Sequence, residues 1–133
     1  METAGQPEHE ARMTEVRARL SEFAEGDPSP AERALVLRLL RSFTAKTPGA
    51  VDLLARLLEA GDPEPVSDRA HSLKGSAANI GAIRLAALCA AVEDRARAGV
   101  VADPGRTVER LRAEAGGALL AVRAVTEGYE ESI

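Results

Sequence analysis

The chemistry in this sequence is concentrated in one run: Ala70-His71-Ser72-Leu73-Lys74-Gly75-Ser76-Ala77-Ala78-Asn79-Ile80-Gly81. Val66, Ala70, Leu73, Ala77 and Ile80 follow one another at steps of 4, 3, 4 and 3, the single apolar stripe of a helix. On that helix His71, Lys74, Gly75 and Ala78 stand at i, i+3, i+4 and i+7, on one adjoining face. The face therefore combines an imidazole, a cation one turn away and two positions with almost no side chain. A neutral imidazole nitrogen is a competent nucleophile near neutral pH, because its unperturbed pKa is about 6.5. A phosphoryl group taken up by the ring would bring negative charge, which the compact three-donor cation of Lys74 can answer. Gly75 in mid-helix costs about 1 kcal/mol against Ala. Clearance offsets that cost most economically: the missing side chain lets another protein approach the ring, and Ala78 extends the flat patch.

Taken one at a time, these residues have plainer explanations. A lone helical histidine is more often a surface or satisfied core residue, a lone lysine a solvated side chain, and a lone glycine a helix-packing site. Ser72 and Ser76 could be nucleophiles in another setting, but no second histidine or acid stands at triad-like spacing, so structural hydroxyls are the simpler reading. Asn79 is expected to cap the helix end.

The elements that must hold this face follow from punctuation and periodicity. Gly26-Asp27-Pro28-Ser29-Pro30, Gly61-Asp62-Pro63 and Gly99 through Asp103-Pro104 each read as a helix stop followed by a helix start. Ser29 with Glu32 fits a capping box. Met13, Val16, Leu20 and Phe23 predict a short first helix over about 8–25. Val36, Leu39, Leu40, Phe43, Val51, Leu54 and Leu58 predict a second over about 30–60, kinked or broken by Pro48 near 44–48. The third carries the His71 run and closes at Asn79-Ile80-Gly81. A fourth, about 82–98, buries Leu85, Leu88, Val92 and Ala96. A fifth, about 104–127, shows Val108, Leu111, Ala115, Leu119, Val122 and Val125, with Gly116-Gly117 as an interruption. No alternating strand pattern and no internal repeat is present. Short connections favour antiparallel neighbours, so the expected fold is all-α: an antiparallel up-down four-helix bundle with an additional N-terminal helix. The expected division is an N-terminal extension over 1–28, the bundle over 29–128 and a frayed tail over 129–133.

Composition limits the alternatives. The 133 residues suit one domain with one core. Apolar residues make up 45% and aromatics only 2%, so Ala and Leu carry the apolar content, which favours close-packed helices over a sandwich. A net charge of −4 without a long basic run argues against nucleic acid as a partner. No apolar stretch approaches the ~20 residues of a membrane span. The acidic, polar opening METAGQPEHE is unlike a secretory signal, and the single cysteine, Cys89, cannot form an internal disulfide. A cytoplasmic, free-standing protein is the expectation. Only Lys46 and Lys74 are lysines among 17 basic residues, so each retained lysine invites notice. His9 has no second ligand at metal spacing, and Cys89 reads as a small buried hydrophobe.

Together, His-Ser-Leu-Lys-Gly-Ser-Ala-Ala-Asn-Ile-Gly resembles the signature of histidine phosphotransfer (HPt) domains, the four-helix intermediates of multistep two-component phosphorelays. Leu-Glu-Ala-Gly-Asp before the third helix and Leu-Ala-Ala-Leu-Cys in the fourth agree with it, so the resemblance spans roughly residues 31–127 and leaves 1–28 outside. It implies that His71 accepts the phosphoryl group, that Lys74 steadies it and that Gly75 admits the partner, with Ser72 and Ala78 on the same docking surface. Twenty-two residues after the histidine the family often has Gln or Glu, here Glu93. A carboxylate accepting from Nδ1–H would orient the ring and leave Nε2 to attack; the competing reading is an exposed salt bridge within Glu93, Asp94, Arg95 and Arg97. The implied partners are response-regulator receiver domains, including that of a hybrid histidine kinase. No cofactor is implied, Mg²⁺ belonging to the receiver, and the expected state is a monomer. No P-loop or glycine-rich ATP loop is present, so autokinase activity is not expected. A receiver-binding adaptor and a receiver phosphatase are the alternatives on the same fold.

Overall fold

Glycine, aspartate and proline set the helix boundaries largely where their local preferences predict. The computed structural model describes residues 6–23 and 26–131 and contains α1 (Gln6–Leu20), α2 (Pro30–Ala60), α3 (Pro63–Ile80), α4 (Ile83–Arg97) and α5 (Pro104–Glu131). No strand occurs among the described residues. Ser29 caps α2 reciprocally: Glu32 N–H donates to Ser29 Oγ at 3.1 Å, and Ser29 N–H donates to Glu32 Oε1 at 2.7 Å. Gly61 and Gly81 close α2 and α3 in the left-handed region, φ 78° and 88°, where a side chain would be strained. Pro63 opens α3 at the first turn, where its missing N–H has no partner to lose.

The helices form an all-α bundle. α2 packs on α3, α3 on α4, α4 on α5 and α5 back on α2, a closed ring of four, while α1 lies outside it against α5 and α3. The connections at 61–62, 81–82 and 98–103 are too short for anything but an up-down order. The core threads all five helices, with Val16, Leu40, Leu54, Leu58, Val66, Leu85, Leu111 and Val122 almost wholly buried.

Several expectations shift. α1 ends at Leu20, and turns at Glu22 and Phe23 follow it, so the first helix is shorter than 8–25; positions 24 and 25 lie outside the described residues. Pro48 does not break α2, which runs on as one helix with Pro48 exposed and both Thr47 and Val51 buried; packing on either side holds the helix together across the lost hydrogen bond. Asn79 is not the cap of α3: Gly81 is, and Asn79 instead receives Arg19 from α1. α5 continues to Glu131, past the end expected near 127 and into the tail expected to fray over 129–133, because Tyr129 packs against the core and Arg41 pairs with Glu130. The remaining tail positions, 132 and 133, lie outside the described residues, as do 1–5.

α4 also differs in which face it buries. Leu88 and Val92 are only half-buried, and the fully buried line is Leu85, Cys89, Glu93 and Ala96. A carboxylate therefore stands in the interior stripe of α4, and its partners define the site.

Candidate functional site

α3 presents His71 outward because the residues on either side of it turn inward. Ala70 and Leu73 are buried against the neighbouring helices, which fixes the rotation of α3 and leaves His71, Ser72, Gly75 and Ala78 exposed. The His71 side chain is 62% exposed. Across the α3–α4 contact lies Glu93, at 1% exposure. His71 Nδ1 is 2.8 Å from Glu93 Oε2. An ionised carboxylate can only accept, so the neutral ring must carry its proton on Nδ1 and donate it to Glu93. The Nε2 lone pair is then free on the solvent side of the ring.

Glu93 has two further partners. Lys74 Nζ lies 2.7 Å from Oε1, a close ion pair that falls short of an aligned hydrogen bond, and Arg97 Nη2 lies 2.7 Å from Oε2. Burying a carboxylate is costly unless it is paired, and here two cations and one ring N–H do the pairing. The Lys74 ammonium holds the Glu93 carboxyl below the usual carboxylate range, helped by His71 and Arg97 and opposed by burial. One turn earlier on α4, Cys89 is fully buried; burial pushes its thiol up to about 12, and the Glu93 charge pushes the same way. The thiol stays protonated and acts as core.

The surroundings of Gly75 separate two explanations of its presence. A Cβ built there meets nothing within 4 Å, so no neighbouring helix of this chain requires the glycine. Helix packing does not account for it. Ala78, one turn on, is likewise exposed, as is Ser72.

The structure thus brings His71, Lys74 and Glu93 together and leaves Gly75, Ala78 and Ser72 as the open surface beside them. The exposed salt bridge weighed for Glu93 exists only in part: Arg97 does pair with it, but the carboxylate is buried. Arg97 had no role of its own in the sequence reading. Its signal was available in the four-residue step from Glu93, the spacing at which side chains on one helix face meet. No cluster of three metal-ligating side chains occurs among the described residues, and no helix is long and apolar enough to cross a membrane.

A family model described as Hpt domain matches residues 38–122, which takes in α3, α4, most of α2 and much of α5 but leaves α1 out. No curated protein and no solved structure matches the chain.

Proposed function

The chain belongs to the Hpt domain family, whose members carry phosphoryl groups in phosphorelays and meet receiver domains, and from that premise we propose that it takes a phosphoryl group on His71 from one receiver aspartate and passes it to another. One observation carries this reading. An exposed imidazole is tethered at Nδ1 to a buried carboxylate, beside a glycine that faces open space.

That geometry supports the following step. Nε2 of the neutral ring attacks the phosphorus of an aspartyl phosphate in line; the N–P bond forms as the P–O bond to aspartate breaks, and the aspartate leaves as a carboxylate. The Nδ1 proton stays in the hydrogen bond to Glu93, which steadies the positive charge that builds on the ring. Lys74 then answers the charge of the bound phosphoryl group. In the return step an aspartate oxygen of the second receiver attacks phosphorus and the imidazole leaves. Mg²⁺ would be held by the carboxylates of the receiver. Gly75, Ala78 and Ser72 form the surface on which the receiver rests. The module supplies a nucleophile and a docking face, and its sequence carries no P-loop or glycine-rich ATP loop, so we read it as a carrier without autokinase activity.

The test is transfer from a radiolabelled phosphorylated receiver domain to wild type and to His71→Gln, followed by acid and alkali treatment. Wild type should gain an acid-labile, alkali-stable label and the variant none. Receivers that lose phosphate while His71 never holds any would replace the carrier with a phosphatase. Binding without any label would replace it with an adaptor.

A further inference from the structure

The charges around Glu93 do not balance. One carboxylate faces two full cations, Lys74 and Arg97, so the cluster carries an excess positive charge beside the ring before any substrate arrives. Both cations lie at the surface, the Lys74 side chain 34% exposed and that of Arg97 63%, whereas Glu93 is buried. Arg97 moreover contacts the same oxygen, Oε2, that receives His71 Nδ1. The guanidinium and the imidazole therefore share one acceptor oxygen, although they belong to different helices.

Its backbone is fixed, and its side chain reaches Glu93 through solvent. Arg97 is the last residue of α4, and the turn behind it is closed by Gly99 N–H donating to Ala96 O and Val100 N–H to Arg95 O, both at 2.9 Å. A long side chain on a fixed stem, mostly in solvent, can exchange one anion for another at little cost. Phosphorylation offers that exchange. A phosphoryl group on Nε2 carries roughly −1.5 to −2 charge at neutral pH and three strong acceptor oxygens, against the single charge of Glu93. A planar guanidinium suits two such oxygens at once, which the point charge of Lys74 does not.

We propose that Arg97 is a second phosphoryl-binding cation, parked on Glu93 in the resting protein and turned onto the phosphoryl oxygens once His71 is loaded. In the resting state it helps keep Glu93 ionised and so keeps the Nδ1 proton in place. In the loaded state it shares the phosphoryl charge with Lys74, while Glu93 retains the ring N–H. The role rests on the carrier reading above and adds a group on α4 to the two on α3.

The experiment loads the full chain with phosphoramidate, whose P–N bond breaks to release ammonia as the His71 Nε2–P bond forms. The phosphoryl ionisation is then followed by ³¹P NMR against pH. A cation close to the phosphoryl oxygens favours their doubly charged form and lowers the midpoint. Arg97→Gln should raise that midpoint by about half a unit to one unit, the effect expected of one charge about 4 Å from another in water-rich surroundings. Arg97→Lys should fall between wild type and Arg97→Gln. Arg95→Gln, an exposed arginine on the same turn, should titrate as wild type. A loaded Arg97→Gln protein whose midpoint equals that of wild type overturns the role of Arg97 and leaves the carrier intact. Wild type that gains no phosphohistidine at all overturns the carrier reading and the arginine with it. Arg97 is exposed, so the variants should fold, and coincident circular dichroism and urea midpoints check that they do.

Discussion

Two seams of this molecule use the same residue types for opposite ends. Along the α1–α5 seam, Gly117 lies directly beneath the guanidinium of Arg12: a Cβ built there would come within 2.6 Å of Arg12 Cζ. Arg12 in turn makes two hydrogen bonds to Glu114, from Nε at 2.9 Å and from Nη2 at 3.1 Å. At the α1–α3 corner, Gly81 fits against the backbone of Glu15 and Val16, and Arg19 donates to the carbonyl and side-chain oxygens of Asn79. On the His71 face, Gly75 meets nothing within 4 Å, and the cations gather around a carboxylate that is wholly buried. A glycine covered by its own chain is explained by packing. A glycine left uncovered at a helix position has no such explanation; Gly49 and Gly116 share that openness, and what sets Gly75 apart is its place one turn from His71.

Substitutions sharpen that contrast. The largest effect is expected at Gly81→Ala, where φ of +88° is strained for any side chain and the new methyl would press on backbone atoms of α1. Urea denaturation should show a loss of about 2 kcal/mol or more; a loss under about 0.5 kcal/mol would mean that α1 does not hold this corner. Gly75→Ala should move stability the other way, a gain of about 0.5–1 kcal/mol, since helix propensity improves and nothing is struck. Gly117→Ala has the same propensity gain but displaces Arg12 from Glu114, a half-buried pair worth up to about 1 kcal/mol. The two should nearly cancel. If Gly75→Ala and Gly117→Ala shift the urea midpoint equally, the contrast between the seams fails.

The smallest effect is expected on the acid limb of stability. Glu93 is held below its usual value near 4.5 in the folded chain, chiefly by Lys74, so it contributes stability that is present above that value. The contribution is lost as pH falls through the lowered folded value. Lys74→Met should weaken this dependence, so that wild type loses more stability than the variant between pH 5 and pH 3, both measured by urea denaturation. Parallel curves would show that Lys74 does not set the ionisation of Glu93.

Much of this arrangement is legible in the sequence. The 4-3-4-3 spacing from Val66 to Ile80 oriented α3 and placed His71, Lys74, Gly75 and Ala78 on one face, because a helix has only one period to offer. Gly-Asp-Pro punctuation located the turns because those residues act through their own backbones. What could not be read depends on contacts distant in sequence. Pro48 is tolerated inside α2 because tertiary packing outweighs a local defect, and α5 persists to Glu131 because Tyr129 and Arg41 hold its end. Nothing in the local sequence links Arg12 to Gly117, or Arg19 to Asn79. Glu93 was the instructive case: the steps from Leu85 through Cys89 to Ala96 put it on the buried line, but a carboxylate is a poor candidate for an interior stripe until its partners are known.

The central claim is that the uncovered glycine beside His71 is space for a partner's active site. The direct measurement is the rate at which label moves from a radiolabelled phosphorylated receiver domain to wild type and to Gly75→Gln, with the fold of each checked by urea denaturation. A side chain that blocks close approach should slow transfer at least about tenfold, the consequence of a misplacement of about 1 Å between reacting groups, while stability stays at or above that of wild type. Equal transfer rates in the two proteins would contradict the claim and leave Gly75 without an explanation.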